Sequence, residues 1–363
     1  MDAILKDCIK KVDIKNKFIS FFNPKTGFYV RTGILDITGK DTGEDPFMCD
    51  YPELIDVGIM GTCDHGKSGM CIAAGVGCYQ NGLNKSLPNM TLEDFKTIVD
   101  QSKGKTFQYA LGGRGDPNKH EQFEGILKYC RDNKIVPNYT TSGYNITDSE
   151  VAITKEYCGA VAVSWYRHEH TYKAIDKFLK AGMKTNIHYV LGQNTIEEAI
   201  NRVKNDDFPK GINAVIFLLH KPVGLGSQKH VLQSDDPRVN DFFKAIDTFK
   251  TSFKVGFDSC TVPAIINRCK NVSLESIDTC EGGRYSCYCT ADMKLLPCSF
   301  DQDLKWAVDL RTSSIHDAWH SDKFNSFRTH FHTACPDCPS RKSCMGGCPI
   351  KTEITLCERK VFP

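Results

Sequence analysis

The sequence predicts an α/β chain: a partial (β/α)6 barrel followed by a small, cysteine-rich α+β domain. Three observations carry this reading. From residue 51 onward, six short apolar runs alternate with amphipathic helical stretches, the pattern of a parallel sheet buried on both faces, open or barrel-like. The candidate functional motifs all fall at the C-terminal ends of those runs, where barrels keep their chemistry. Beyond residue 255 the chain becomes turn-rich, and eleven of the 18 cysteines lie at or beyond Cys260.

Residues 1–50 read as a short helix and then a hairpin around FFNPKTGFYV, with Pro24, Lys25, Thr26 and Gly27 supplying the turn. This extension is too short for a core of its own. Residues 51–255 hold the barrel strands, expected at 54–60, 106–111, 135–141, 160–165, 185–190 and 214–219. Between them lie helical stretches such as LEDFKTIVDQ, QFEGILKYCRD, AIDKFLKAG and IEEAINRVK. Thr91 with Asp94, and Thr195 with Glu198, have capping-box spacing. A further helix (DFFKAIDTFKTSF) and a short strand (KVGFD) lead to a boundary near 255–260 and a second domain over 256–363.

A chain of 363 residues is long enough for two domains with a large core. Its formal charge of +2 gives no sign of a nucleic-acid or membrane surface, and no apolar run reaches the length of a membrane span. The N-terminal segment is too charged for a signal peptide, which points to a cytoplasmic protein. A disulfide framework belongs to short secreted chains, whereas cysteines in a reducing compartment mostly bind metal.

The cysteines fall into two groups. The distal one reads Cys335-x2-Cys338-x5-Cys344-x3-Cys348-x8-Cys357, preceded by Cys280 and Cys298. Thiols this dense, with Gly346 and Gly347 allowing tight backbone turns, suit iron–sulfur clusters; two tetrahedral zinc sites are the structural rival. The proximal group, Cys63, Cys71 and Cys78, follows the first strand. It overlaps a literal G-x4-G-K-S match at Gly61–Ser68, so a nucleotide-hydrolysing loop with a structural zinc domain is the rival of a different class. Against it, a Gly-rich stretch with two more cysteines follows where a phosphate loop opens a long helix. No Asn-Lys-x-Asp string is present. Cys8, Cys49, Cys130 and Cys158 lack motif context and read as small buried thiols.

Three cysteines after a first barrel strand resemble the radical S-adenosylmethionine (SAM) superfamily. There a [4Fe–4S] cluster is held by three thiolates, with its fourth iron open to SAM. The usual C-x3-C-x2-C spacing is here C-x7-C-x6-C, with Tyr79 after the third cysteine, and His65 is a possible substitute ligand. Leu111-Gly112-Gly113-Arg114-Gly115-Asp116-Pro117 is similar to the family's Gly-Gly-Glu-Pro motif. The resemblance implies that Gly112, Gly113 and Asp116 hold the methionine part of SAM. TTSG (140–143), with Ser142, resembles a Thr-Asn-Gly turn, and Ser164 stands where a hydroxyl contacts the ribose. His188 is a candidate facing the site. Leu218 and Leu219 are candidates to pack on adenine, with ordinary core as the competing reading.

The distal series resembles the SPASM extension of these enzymes, which binds two auxiliary [4Fe–4S] clusters. By that pattern Cys335, Cys338, Cys344 and Cys357 hold the outer cluster, and Cys348 crosses to the inner one with Cys280 and Cys298. The inner cluster's fourth ligand is open among Cys260, Cys269, Cys287 and Cys289, or is absent. The string SIHDAWHSDKFNSFR resembles the helix that links the two cysteine groups. The resemblance implies reductive cleavage of SAM to a 5′-deoxyadenosyl radical and modification of a peptide or protein. A thioether or carbon–carbon cross-link in a ribosomally made peptide is the leading expectation, and oxidation of a Cys or Ser side chain by a sulfatase-maturing type of enzyme is the alternative. An electron donor such as flavodoxin or ferredoxin is the further partner implied.

Overall fold

The computed structural model describes residues 6–65, 68–333, 335 and 337–357. The chain opens with an antiparallel sheet of β1 (Ile9–Asp13), β2 (Phe18–Phe22) and β3 (Tyr29–Arg31), in that order. The expected hairpin is β2–β3. Gly27 N donates to Asn23 O at 2.8 Å, and Gly27 sits at φ 72°, which glycine adopts without strain. No helix precedes it among the described residues. Ile9–Asp13 instead pairs with β2 from Ile9↔Phe22 to Asp13↔Phe18. The ladder satisfies the backbone groups of this β-branched, charged segment, whereas an isolated helix of that length is marginal.

The main sheet has ten strands in the order β10-β9-β8-β7-β6-β5-β4-β11-β12-β13. In chain order these are β4 (Leu54–Met60), β5 (Gln108–Gly113), β6 (Val136–Thr141), β7 (Val161–Ser164), β8 (Thr185–Leu191), β9 (Ala214–Leu219), β10 (Lys254–Phe257), β11 (Ser286–Cys289), β12 (Lys294–Leu296) and β13 (Val308–Asp309). β4 to β10 are parallel throughout. All six expected barrel strands are present, and β10 extends the set by one. β11 pairs parallel with β4, so the sheet runs on into the second domain, where β11, β12 and β13 are antiparallel.

Side-chain alternation sorts the barrel's two faces. Val57, Tyr109, Leu111, Ile187, Tyr189 and Phe217 are buried in one core with residues such as Phe95 and Ile98 of the helix Leu92–Ser102 and Phe178 of the helix Glu169–Lys180. The alternate positions, among them Asp56, Asn138, Thr140 and His188, are only half-buried and face the concave lumen. Thr91 caps its helix through a bond from Asp94 N at 3.1 Å. The box expected at Thr195 is not formed. Its hydroxyl bonds Gly192 N and Val190 O, and Glu198 is drawn to Arg167, Arg202 and Trp165. Thr147 and Glu150 form a complete capping box instead. The linking segment near 314–328 carries two helices, Ile315–Trp319 and Asp322–Thr333.

Candidate cluster and cofactor sites

Cys63, Cys71 and Cys78 line one cavity after β4, together with His65, Ile72, Leu83 and Leu225. Burial pushes the Cys71 thiol up to about 11, opposed by a hydrogen bond with Tyr166 at 3.3 Å and reinforced by the neighbouring Cys78 and Cys63. The long loop is pinned at several points. Leu225 N donates to Cys78 O at 2.9 Å, Arg167 Nη1 to Ala74 O at 2.9 Å, and Asn194 Nδ2 to Gly75 O at 3.0 Å. Gly66 and Lys67 of the nucleotide-loop reading lie outside the described residues. The helix that follows, Met70–Ala73, has four residues, unlike the long helix a phosphate loop opens.

The strand ends surround this loop. Gly113 has φ 118°, and a Cβ there would stand 2.3 Å from Met60 O, so glycine is required for β4 and β5 to meet. At Gly112 a Cβ would meet nothing within 4 Å, which leaves bare backbone facing open space. Asp116 gathers its neighbours. Its Oδ1 accepts from Ser142 N at 2.8 Å, and its Oδ2 accepts from the Ser142 hydroxyl and lies 3.2 Å from His65 Nε2. Asp116, Ser142 and His65 are thus one hydrogen-bonded group beside the cysteines, with His65 turned to the carboxylate.

Ser164 pairs in register with His188. His188 Nδ1 lies 3.2 Å from Thr140 Oγ1, and burial lowers its pKa to about 4, which keeps it neutral. Leu219 is 3% exposed in the hydrophobic core, on the same strand parity as Phe217. Ordinary core describes it, and the half-buried Leu218 takes the lumen face. Tyr166 and Arg167 were not anticipated. The only signal was an aromatic and a basic residue directly after a strand end.

In the second domain, Cys335, Cys338, Cys344 and Cys357 line one cavity of about 240 Å³, closed on one side by Pro263 and Asn267. Asn267 Nδ2 reaches Cys357 Sγ at 3.7 Å. Gly346 and Gly347 take φ of 90° and 81° there, as so tight a turn requires. Cys348 is buried apart from this group and accepts from Lys351 N at 3.3 Å. Cys280 and Cys298 line a larger cavity, about 730 Å³, between β4 and β10. Burial raises both thiols, Cys280 to about 12. Lys221, just past β9, is buried there and pairs with Asp258 at 2.6 Å; sequence reasoning missed it. Thiols gathered into separate groups are a donor set that fits iron–sulfur clusters.

Residues 280–340 match the family model SPASM, described as an iron–sulfur cluster-binding domain. No curated protein matches by sequence. Among solved structures, Streptococcus suis SuiB bound to S-adenosylmethionine is similar with a TM-score of 0.69 at 14% identity, over 97% of this chain and 99% of that one. SuiB bound to its precursor peptide SuiA gives the same values. anSMEcpe with bound AdoMet and the Cp18Cys peptide is similar with a TM-score of 0.59 at 16% identity, over 86% of this chain and 92% of that one. The chain therefore has the fold of SuiB and anSMEcpe, a partial barrel followed by a region, residues 280–340, that matches the SPASM iron–sulfur cluster-binding domain.

Proposed function

We propose that this chain is a radical SAM enzyme that modifies a ribosomally made peptide or protein, with a thioether or carbon–carbon cross-link as the product. The observation that carries the reading is the convergence of Cys63, Cys71 and Cys78 into one cavity at the end of β4, beside Asp116 and the bare backbone of Gly112. Three thiolates are the number that leaves one iron of a [4Fe–4S] cluster free. When bound, that cluster with SAM supplies one-electron cleavage of the sulfonium and a 5′-deoxyadenosyl radical.

The protein's own residues bind and orient. Asp116, fixed by Ser142 and His65, offers a carboxylate to an ammonium group. Gly112 lets a ligand approach the backbone, and Ser164 and the neutral His188 line the lumen beyond. Cys335, Cys338, Cys344 and Cys357 would hold an outer auxiliary cluster, and Cys280, Cys298 and Cys348 an inner one. Two structurally similar proteins were solved with peptides, SuiB with SuiA and anSMEcpe with Cp18Cys, which supports a peptide substrate here. Asp301, the acid nearest after Cys298, is 5% exposed and accepts from Lys305 N and Trp306 N. That engagement in a turn weighs against it as the base a sulfatase-maturing enzyme needs. A flavodoxin or ferredoxin would deliver the electron.

The test is anaerobic reconstitution with iron and sulfide, followed by SAM and dithionite. The expected result is iron for more than one cluster and formation of 5′-deoxyadenosine. Changing Cys63, Cys71 and Cys78 together to Ala should abolish the deoxyadenosine and keep the auxiliary iron. Cleavage retained in that variant would overturn the assignment.

A further inference from the structure

We infer that Cys260, supplied by the barrel, is the fourth ligand of the inner auxiliary cluster and closes it with Cys280, Cys298 and Cys348, leaving no iron open to substrate. The inference rests on the iron–sulfur reading of the second domain.

Four thiols compete for the position, and their surroundings separate them. Cys269 ends the helix Val262–Arg268 and points its thiol at Phe243 O, 3.8 Å away, beside Asp247. Cys289 bonds Thr290 O at 3.6 Å, in the field of Asp292 and Asp94. Cys287 lines the same cavity as Cys280 and Cys298, but the groups acting most strongly on its thiol are Cys289, Asp56, Cys49 and Arg328. Cys260 is set apart by its direct contact with Cys348. It lines the same cavity as Cys280 and Cys298, is hydrogen-bonded to Cys348, and its charge is felt at both Cys280 and Cys298. It is the thiol common to the other three.

Its position is held by the barrel. Cys260 lies in the turn Ser259–Thr261 directly after β10. That turn is fastened to β9: Asp258 N donates to Phe217 O, Asp258 Oδ2 accepts from Leu219 N, and Thr261 N donates to Asp258 O. A cluster with four thiolates is anionic, and burying it calls for a counter-charge. Lys221 supplies one. Its Nζ lies 2.6 Å from Asp258 Oδ2 and 4.4 Å from the Phe300 ring, in the wall of the cavity that Cys260, Cys280 and Cys298 line. The barrel thus contributes one ligand and one cation, and the second domain three ligands. A cluster so held clips the domains together and relays electrons, while substrate is left to other surfaces.

The experiment uses the reconstituted full chain with SAM present, compared with Cys260→Ala and Cys287→Ala. Wild type should carry iron for three four-iron clusters, and its Mössbauer spectrum should not change when imidazole is added. Cys260→Ala should lose one iron per chain on mild oxidation, show the EPR signal of a three-iron cluster, and respond to imidazole. Cys287→Ala should keep the wild-type spectrum. A three-iron signal in Cys287→Ala with none in Cys260→Ala would overturn the inference. So would an imidazole response in wild type, a result that stands even if Cys260→Ala fails to fold. Zinc without iron in wild type would instead refute the iron–sulfur reading itself.

Discussion

Replacing Gly224 by alanine should empty the first thiol group of its cluster without disturbing the second domain. Gly224 sits after β9 at φ 64°, and a Cβ there would stand 2.3 Å from Tyr79 O and 2.6 Å from Cys78 O. Left-handed backbone costs alanine ~1–2 kcal/mol. The clash is with backbone, so no side-chain rotation relieves it, and the segment carrying Cys78 must retreat by roughly 1 Å. The bond from Leu225 N to Cys78 O is then stretched or lost, at a further ~1 kcal/mol. The summed cost, about 2–3 kcal/mol, falls on one loop and leaves the main core untouched. Cluster ligands tolerate only ~0.2 Å of error, so Cys78 displaced by that much cannot ligate. The expected outcome is loss of one cluster's worth of iron and, with it, of deoxyadenosine formation, with thermal unfolding of the barrel little changed. Wild-type iron content and a near wild-type rate in Gly224→Ala would show that this contact does not position Cys78.

Three further outcomes follow from named contacts. Lys221→Met removes a buried cation and leaves the half-buried Asp258 unpaired beside Cys260. Denaturant unfolding should show a loss of ~3–5 kcal/mol, partly recovered by adding Asp258→Asn; a single variant as stable as wild type would refute the pairing. Tyr166→Phe removes the hydroxyl that accepts from the Cys71 thiol at 3.3 Å and would donate to its thiolate. Such bonds to cluster sulfur raise reduction potential, so a redox titration of the first cluster should shift downward, and no shift would count against ligation by Cys71. Burial raises the Asp56 carboxyl to about 7, above its unfolded value. The folded state therefore holds a proton that the unfolded chain has released, and wild-type stability should fall as pH rises from about 4 through about 7, by no more than ~4 kcal/mol. Asp56→Asn should flatten that part of the profile, and equal declines in both proteins would refute it.

How much of this was legible varies with the interaction. LIDVGIM and AVIFLL are continuous apolar runs flanked by polar turns, and both strands begin and end where the sequence places them. β5 runs on to Gly113 because its ladder with β4 continues past a bulge at Gly58 and Met60, a pairing that two glycines do not announce. A short helix is expected in the N-terminal extension because the charged residues of Ile9–Asp13 hide the period of a strand whose partner lies beyond a turn. Thr195 and Glu198 have the spacing of a capping box, yet Arg167 arrives from another βα loop and takes the carboxylate. The closely spaced cysteines of the second domain announce themselves as one group. The choice of Cys260 over Cys287 does not, because it depends on β10 and β11 lying on opposite sides of one cavity.

The contacts between the domains reach as far as the first thiol group. Gly58 of β4 has no side chain, and a Cβ there would stand 2.4 Å from the Tyr288 hydroxyl of β11. The ring fills that gap, and its hydroxyl accepts from Gln80 Nε2 at 3.2 Å, two residues beyond Cys78. Beside it, Tyr79 packs on Phe300 with ring centroids 4.7 Å apart, and Lys221 Nζ lies 4.4 Å from the Phe300 ring. Tyr79 is next to Cys78 and Phe300 is two residues from Cys298, so a single aromatic contact spans the distance between the two thiol groups. Packed rings of this kind deform little. The separation and orientation of the two groups are therefore set by the shared sheet and by these rings. A displacement of the second domain relative to the barrel has to break the β4–β11 ladder, the Tyr288 seat and the Tyr79–Phe300 contact together.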